Sequence, residues 1–178
     1  MITRAQAEIG RVGFTLVALG VLVAGLLLVG ALRRRGATRL AVTASALGLL
    51  VVLAGVASLT LFGLEEPLQA ERRLFLDPVA GARGWLTTAW RPVIDNVVLF
   101  VPVGALAAAT WWRQRAITVW LGCFGLSFAI EAFQYAVPTG RVANVADLLA
   151  NGAGALLGIA LATLTGARAA PRQPHRPG

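Results

Sequence analysis

Glu131 is a carboxylate inside an apolar run, Ala116 to Val137. It lies about six residues inside the end of that run, so about 9 Å deep at ~1.5 Å of rise per residue. An acid at the centre of a membrane-spanning helix costs about 2.5–3.5 kcal/mol on insertion scales. A residue that expensive must face protein or a water-filled cavity. Gln134 follows three residues later and Ser127 precedes by four, so all three share one helix face. A carboxylate, an amide and a hydroxyl on one stripe can bind hydroxyls, amides or a lipid headgroup. The carboxylate can also act as a general acid or base.

Two further polar groups belong with this stripe. Asp95 and Asn96 open the apolar run Val93 to Trp112, and Asp147 and Asn151, four residues apart on one face, open the run Asp147 to Gly166. If the chain crosses a membrane with each run, the start of the third run, the end of the fourth and the start of the fifth lie on the same side. Arg141, between the last two, is the natural counter-charge for Glu131 or Asp147. The candidate site is thus Asn96, Glu131, Gln134, Arg141, Asp147 and Asn151, with Glu131 as the catalytic residue if there is catalysis. The alternative is a set of interhelical hydrogen bonds that hold a bundle together, which average about 0.6 kcal/mol in one measured system. A carboxylate is a poor choice for that task alone, and this favours function for Glu131.

The elements that carry these residues are membrane helices. Of 178 residues, 57% are hydrophobic and 13% charged, where a soluble domain has about 25% charged. Five runs approach or reach the ~20 residues a bilayer crossing needs: Phe14 to Leu32, Leu40 to Leu64, and the three above. A bilayer leaves no water for unpaired backbone groups, so each run is predicted to be a helix. The expected fold is all-α, a polytopic bundle of about five spans. Residues 1–64 hold two spans, 65–92 an extracytoplasmic loop, 93–166 three spans and 167–178 a disordered cytoplasmic tail rich in Pro and Arg. The long loop, with Phe75, Trp85 and Trp90, reads either as a helix at the membrane surface or as a polar connector.

All 16 basic residues are Arg. A net charge of +8 would suggest nucleic acid in a soluble chain, but here the arginines flank apolar runs and serve topology. Arg33, Arg34, Arg35 and Arg39 follow the first run, Arg113 and Arg115 the third, and Arg168, Arg172 and Arg176 the fifth, with no acid among them. The N-terminus is therefore predicted outside and the C-terminus inside, in a multi-pass protein of the cell membrane. The first run resembles a signal peptide, but its length and the Arg cluster directly after it argue for retention. Pro102 and Gly104 predict a kink or a close approach, and Gly154 and Gly158 form a GxxxG pair for helix packing. Cys123 reads as a packing residue. No metal-ligand cluster, phosphate loop or dinucleotide fingerprint is present, and no cofactor is expected.

The segments Asn96-Val-Val-Leu-Phe100-Val-Pro102-Val-Gly104, Glu131-Ala-Phe-Gln134, Gly140-Arg141, Asp147-Leu-Leu-Ala-Asn151 and Gly154 with Gly158, in this order, resemble the VanZ-like family of small bacterial membrane proteins. The resemblance covers about Asp95 to Ile159. It implies a helical membrane protein of the bacterial cell envelope whose polar residues lie in the last three spans. The family's naming member is associated with low-level resistance to teicoplanin. Asn144 and Ala146 stand where the family usually carries carboxylates, which speaks against a role that needs an acid cluster there, such as cation binding.

Three functions compete on this reading. The first is binding of a membrane lipid or a lipid-linked envelope precursor in an outer-leaflet polar pocket, with an effect on glycopeptide susceptibility. The second is an intramembrane enzyme that modifies a lipid headgroup, with Glu131 as acid or base. The third is a proton-coupled carrier, against which five spans without an internal repeat speak. The oligomeric state is left open.

Overall fold

The computed structural model describes residues 4–61, 74–75, 90–136 and 143–169. Among these are five helices: α1 (Arg4–Arg34), α2 (Thr38–Leu61), α3 (Trp90–Thr110), α4 (Ala116–Ala136) and α5 (Val145–Leu164). A single two-residue parallel pairing joins β1 (Leu74–Phe75) to β2 (Ala143–Asn144), in the register Leu74 to Ala143 and Phe75 to Asn144. All five helices are long and apolar enough to cross a membrane, with spans of 19 to 21 residues. At ~1.5 Å per residue these lengths match a hydrocarbon core of about 30 Å. The protein is a multi-pass helical bundle, as the apolar runs predict.

The helix ends follow from local chemistry. Gly36 has φ +79° and closes α1. Its N–H donates to Arg33 O (3.0 Å) and the N–H of Ala37 to Leu32 O (2.9 Å). This is a Schellman cap, and the positive φ is why glycine stands there. The turn is short, so α2 runs back antiparallel to α1. Trp111–Arg115 makes a slightly longer link from α3 to α4, with the N–H groups of Thr118 and Val119 both donating to Arg115 O.

α3 and α5 form the most extensive interface. They run parallel, because α4 returns the chain between the end of one and the start of the other. A Cβ on Gly154 would strike Val97 O, one on Gly158 would strike Val101 O, and one on Gly104 would strike Ala155 O. The backbones therefore touch, which is the packing the GxxxG pair predicts. Phe100, Val103, Ala105 and Ala108 of α3 and Ala155 and Ile159 of α5 form the centre of the core. Pro102 is accommodated inside α3, which continues as helix past it. Large apolar residues remain exposed all around the bundle, among them Leu16, Leu28, Val51, Phe128 and Leu157. That surface suits lipid and not water.

The observed structure adds two things to the sequence reading. The part of the long loop that is described, Leu74–Phe75, is neither surface helix nor plain connector but pairs with the segment entering α5. Ala167 and Arg168, grouped with the C-terminal tail, pack against the bundle: Ala167 is buried and the N–H of Arg168 donates to Ala162 O (3.1 Å). Gly166, at φ +75°, turns the chain back and makes this contact possible.

Candidate functional site

The inward face of α4 carries Val119, Cys123, Ser127, Ile130 and Gln134, all buried. The polar stripe expected on this helix is thus real for Ser127 and Gln134, and Glu131 lies at its edge, half-buried. Chain alternation brings the Glu131 end of α4 to the start of α5. There the Oε2 of Glu131 accepts a hydrogen bond from the backbone N–H of Asn144 (2.9 Å). Asn144 is the N-cap of α5, in extended conformation, and its Oδ1 accepts from the N–H of Ala146 (2.9 Å). Asp147 sits in the first turn of the same helix. The positive end of α5 thus meets an amide oxygen and two carboxylates, an arrangement the helix dipole favours.

One turn further in, Asn151 is buried at 4% exposure. Its Nδ2 donates to Ser127 Oγ (2.9 Å). Its Oδ1 is enclosed and has no hydrogen-bond partner among the described residues. A buried carbonyl oxygen left in this state costs about 1–3 kcal/mol. Beyond this pair the α4–α5 contact becomes aromatic. Trp120 Nε1 donates to Gly152 O (3.0 Å), and Trp120 and Phe124 lie 5.2 Å apart beside Gly152.

The structure therefore pairs Glu131 with Asn144 and Ser127 with Asn151 across α4 and α5, with Gln134 buried on α4 and Asp147 in the first turn of α5. Asn96 is half-buried on α3, one turn before Phe100, whose Cβ approaches Gly154. No hydrogen bond joins Asn96 to Ser127 or Asn151 among the described residues. Asp95 is exposed. Arg141 lies outside the described residues. Among the described residues no group of three or more His, Cys, Asp or Glu gathers as a metal site would need.

Sequence reasoning noted Asn144 only as a missing acid and did not see its capping role. The signal was available, since an Asn directly before an apolar helical run is an N-cap pattern. It also read Arg33 and Arg168 as topology signals alone. Arg33, in the last turn of α1, is 0% exposed, and its Nη2 donates to Ala109 O near the C-terminus of α3. Its guanidinium lies 4.8 Å from the Trp112 ring centroid, and that of Arg113 lies 5.0 Å from the same ring. Arg168 Nη2 donates to Gln114 O in the α3–α4 link. Cations thus cover the negative end of α3.

Five membrane-length helices with a polar seam between the fourth and fifth define a polytopic helical membrane protein. The VanZ/LLP1 family model matches residues 49–166, which is well over half of the chain. The chain belongs to that family. No curated protein and no solved structure matches it.

Proposed function

We propose that the protein binds a lipid-linked or amphiphilic molecule of the bacterial cell envelope at the Ser127–Glu131–Asn151 seam and through it affects glycopeptide susceptibility. The observation that carries this reading is Asn151 Oδ1, a buried acceptor without a donor among the described residues. A hydroxyl or amide N–H of a headgroup or sugar is the donor it lacks. Gln134 and Asp147 supply further polar groups on the same flank, and Arg141 is the cation for a phosphate.

Glu131 serves this site by holding it. With Oε2 committed to Asn144 N–H, the carboxylate fixes the entry of α5 and so the placement of Asn151. This supports binding over acid–base catalysis as its role. Glu131→Gln keeps an oxygen for the Asn144 N–H and retains function on this reading, whereas Glu131→Ala loses it. The assay is teicoplanin susceptibility of cells carrying each variant at matched membrane levels. Loss of function in Glu131→Gln equal to that in Glu131→Ala supports the enzyme instead, as does a changed lipid profile by mass spectrometry on overexpression.

The arginine distribution supports placing the Glu131 end outside and the Arg33 end in the cytoplasm. Reporter fusions after Arg35 and Gly178 read cytoplasmic on this assignment, and one at Val79 reads outside. The reverse pattern overturns it.

A further inference from the structure

A groove of about 490 Å³ runs between α2, α3 and α4 from the α3–α4 link to Leu126. Its floor is Val103 and Ala107 of α3, and its walls are Leu49 and Leu53 of α2 and Gly122 and Leu126 of α4. α2 and α4 scarcely touch each other, which leaves a groove between them over the buried Val103 and Ala107 of α3. Trp111, Gln114 and Thr118 form the end of the groove nearest the α3–α4 link. From Thr118 to Leu126 it runs eight helical residues, about 12 Å. Half of a ~30 Å hydrocarbon core is about 15 Å, so the groove has the depth of one leaflet.

The charge at its mouth selects an occupant. Arg113 and Arg115 flank Gln114 in the chain and both are exposed. Arg34, Arg35 and Arg39 are exposed at the same end of the bundle, and the link segments there contain no acid. A second copy of the chain seated here in parallel would set these arginines against its own. A molecule with an apolar chain and an anionic head suits both the groove and the mouth.

We propose that this groove holds one acyl chain of an anionic glycerophospholipid, with its phosphate at Arg113 and Arg115. The site is distinct from the one at Glu131, since the two share no residue and the groove opens towards the α3–α4 link. Gly122 lines the groove without a side chain, and a Cβ there meets nothing within 4 Å, so a larger residue has room to start from.

The test uses the full chain in nanodiscs of equal phosphatidylglycerol and phosphatidylcholine, with retained lipid read by native mass spectrometry after release. The wild-type chain is expected to retain phosphatidylglycerol over phosphatidylcholine. Gly122→Phe and the double variant Arg113→Gln, Arg115→Gln each lower that retention, by about thirtyfold for the arginine pair. Gly125→Phe is the control for bulk, because Gly125 also meets nothing within 4 Å and does not line the groove. It retains lipid as the wild type does. Equal retention of the two lipids by the wild-type chain overturns the proposal. So does unchanged retention in Gly122→Phe, or equal retention of glycerol 3-phosphate, which has the head and no chain.

Discussion

The two ends of the bundle solve the same problem with opposite chemistry. At one end, an N-cap amide and a carboxylate meet the positive terminus of α5. At the other, Arg33 reaches a carbonyl near the negative terminus of α3, and Arg168 one in the link just beyond it. What each end leaves over also differs in sign. The Glu131 end has an enclosed acceptor, Asn151 Oδ1, and the arginine end has enclosed donors, Arg33 Nε and Nη1 and Arg168 Nε. The polar groups left over thus differ in sign at the two ends, as do the ligands proposed for them. A donor-bearing headgroup suits the first end and an anion the second.

The comparison assumes that the α3–α5 seam holds both ends in place, and the largest expected effect tests that. Gly158→Leu drives a side chain into Val101 O and the backbone of Ala105. It is expected to destabilise the bundle by more than the ~1–3 kcal/mol typical of overpacking. Gly20→Leu, where a Cβ meets nothing within 4 Å, is expected to leave stability unchanged. Steric-trapping measurements in bicelles compare the two, and equal stability would mean the seam does not hold the ends.

Arg33→Met comes next. It removes the partner of Ala109 O and is expected to cost about 1–3 kcal/mol. Hydrogen exchange should rise in the last turn of α3 and stay unchanged in the first turn of α5. Asn144→Ala is the mirror experiment and costs about 1 kcal/mol, the usual value of a lost N-cap. Exchange then rises at the start of α5 alone. The two substitutions lie at opposite ends, so their effects should add to within about 0.5 kcal/mol. A larger coupling would show that the ends are not separate units. Ser127→Ala is the smallest effect, about 0.6 kcal/mol for one interhelical hydrogen bond.

Much of this was legible in the chain. The runs Val93 to Trp112 and Ala116 to Val137 match α3 and α4 to within three residues, because long, mostly apolar stretches separated by Arg113 and Arg115 leave little choice in a bilayer. The stripe of Ser127 and Gln134 and the glycine pair follow from helical spacing. What was not legible depends on contacts between distant segments. The bond from Asn144 N–H to Glu131 needs the angle at which α5 returns past α4. The burial of Arg33 needs α1 to pack near the end of α3, and nothing in a run of three arginines says which one turns inward. The pairing of Leu74–Phe75 with Ala143–Asn144 joins segments far apart in sequence that carry no strand pattern.

The central claim is that the Ser127–Asn151 seam is a binding site and not only a helix contact. Asn151→Leu tests it most directly. The full chain, wild-type and variant, is purified from membranes and its co-purifying polyprenyl-linked envelope precursor is quantified by mass spectrometry. The account predicts that the wild-type chain retains such a molecule and that the variant retains about tenfold less, the worth of one buried hydrogen bond, at similar stability. Equal retention by both chains would contradict it.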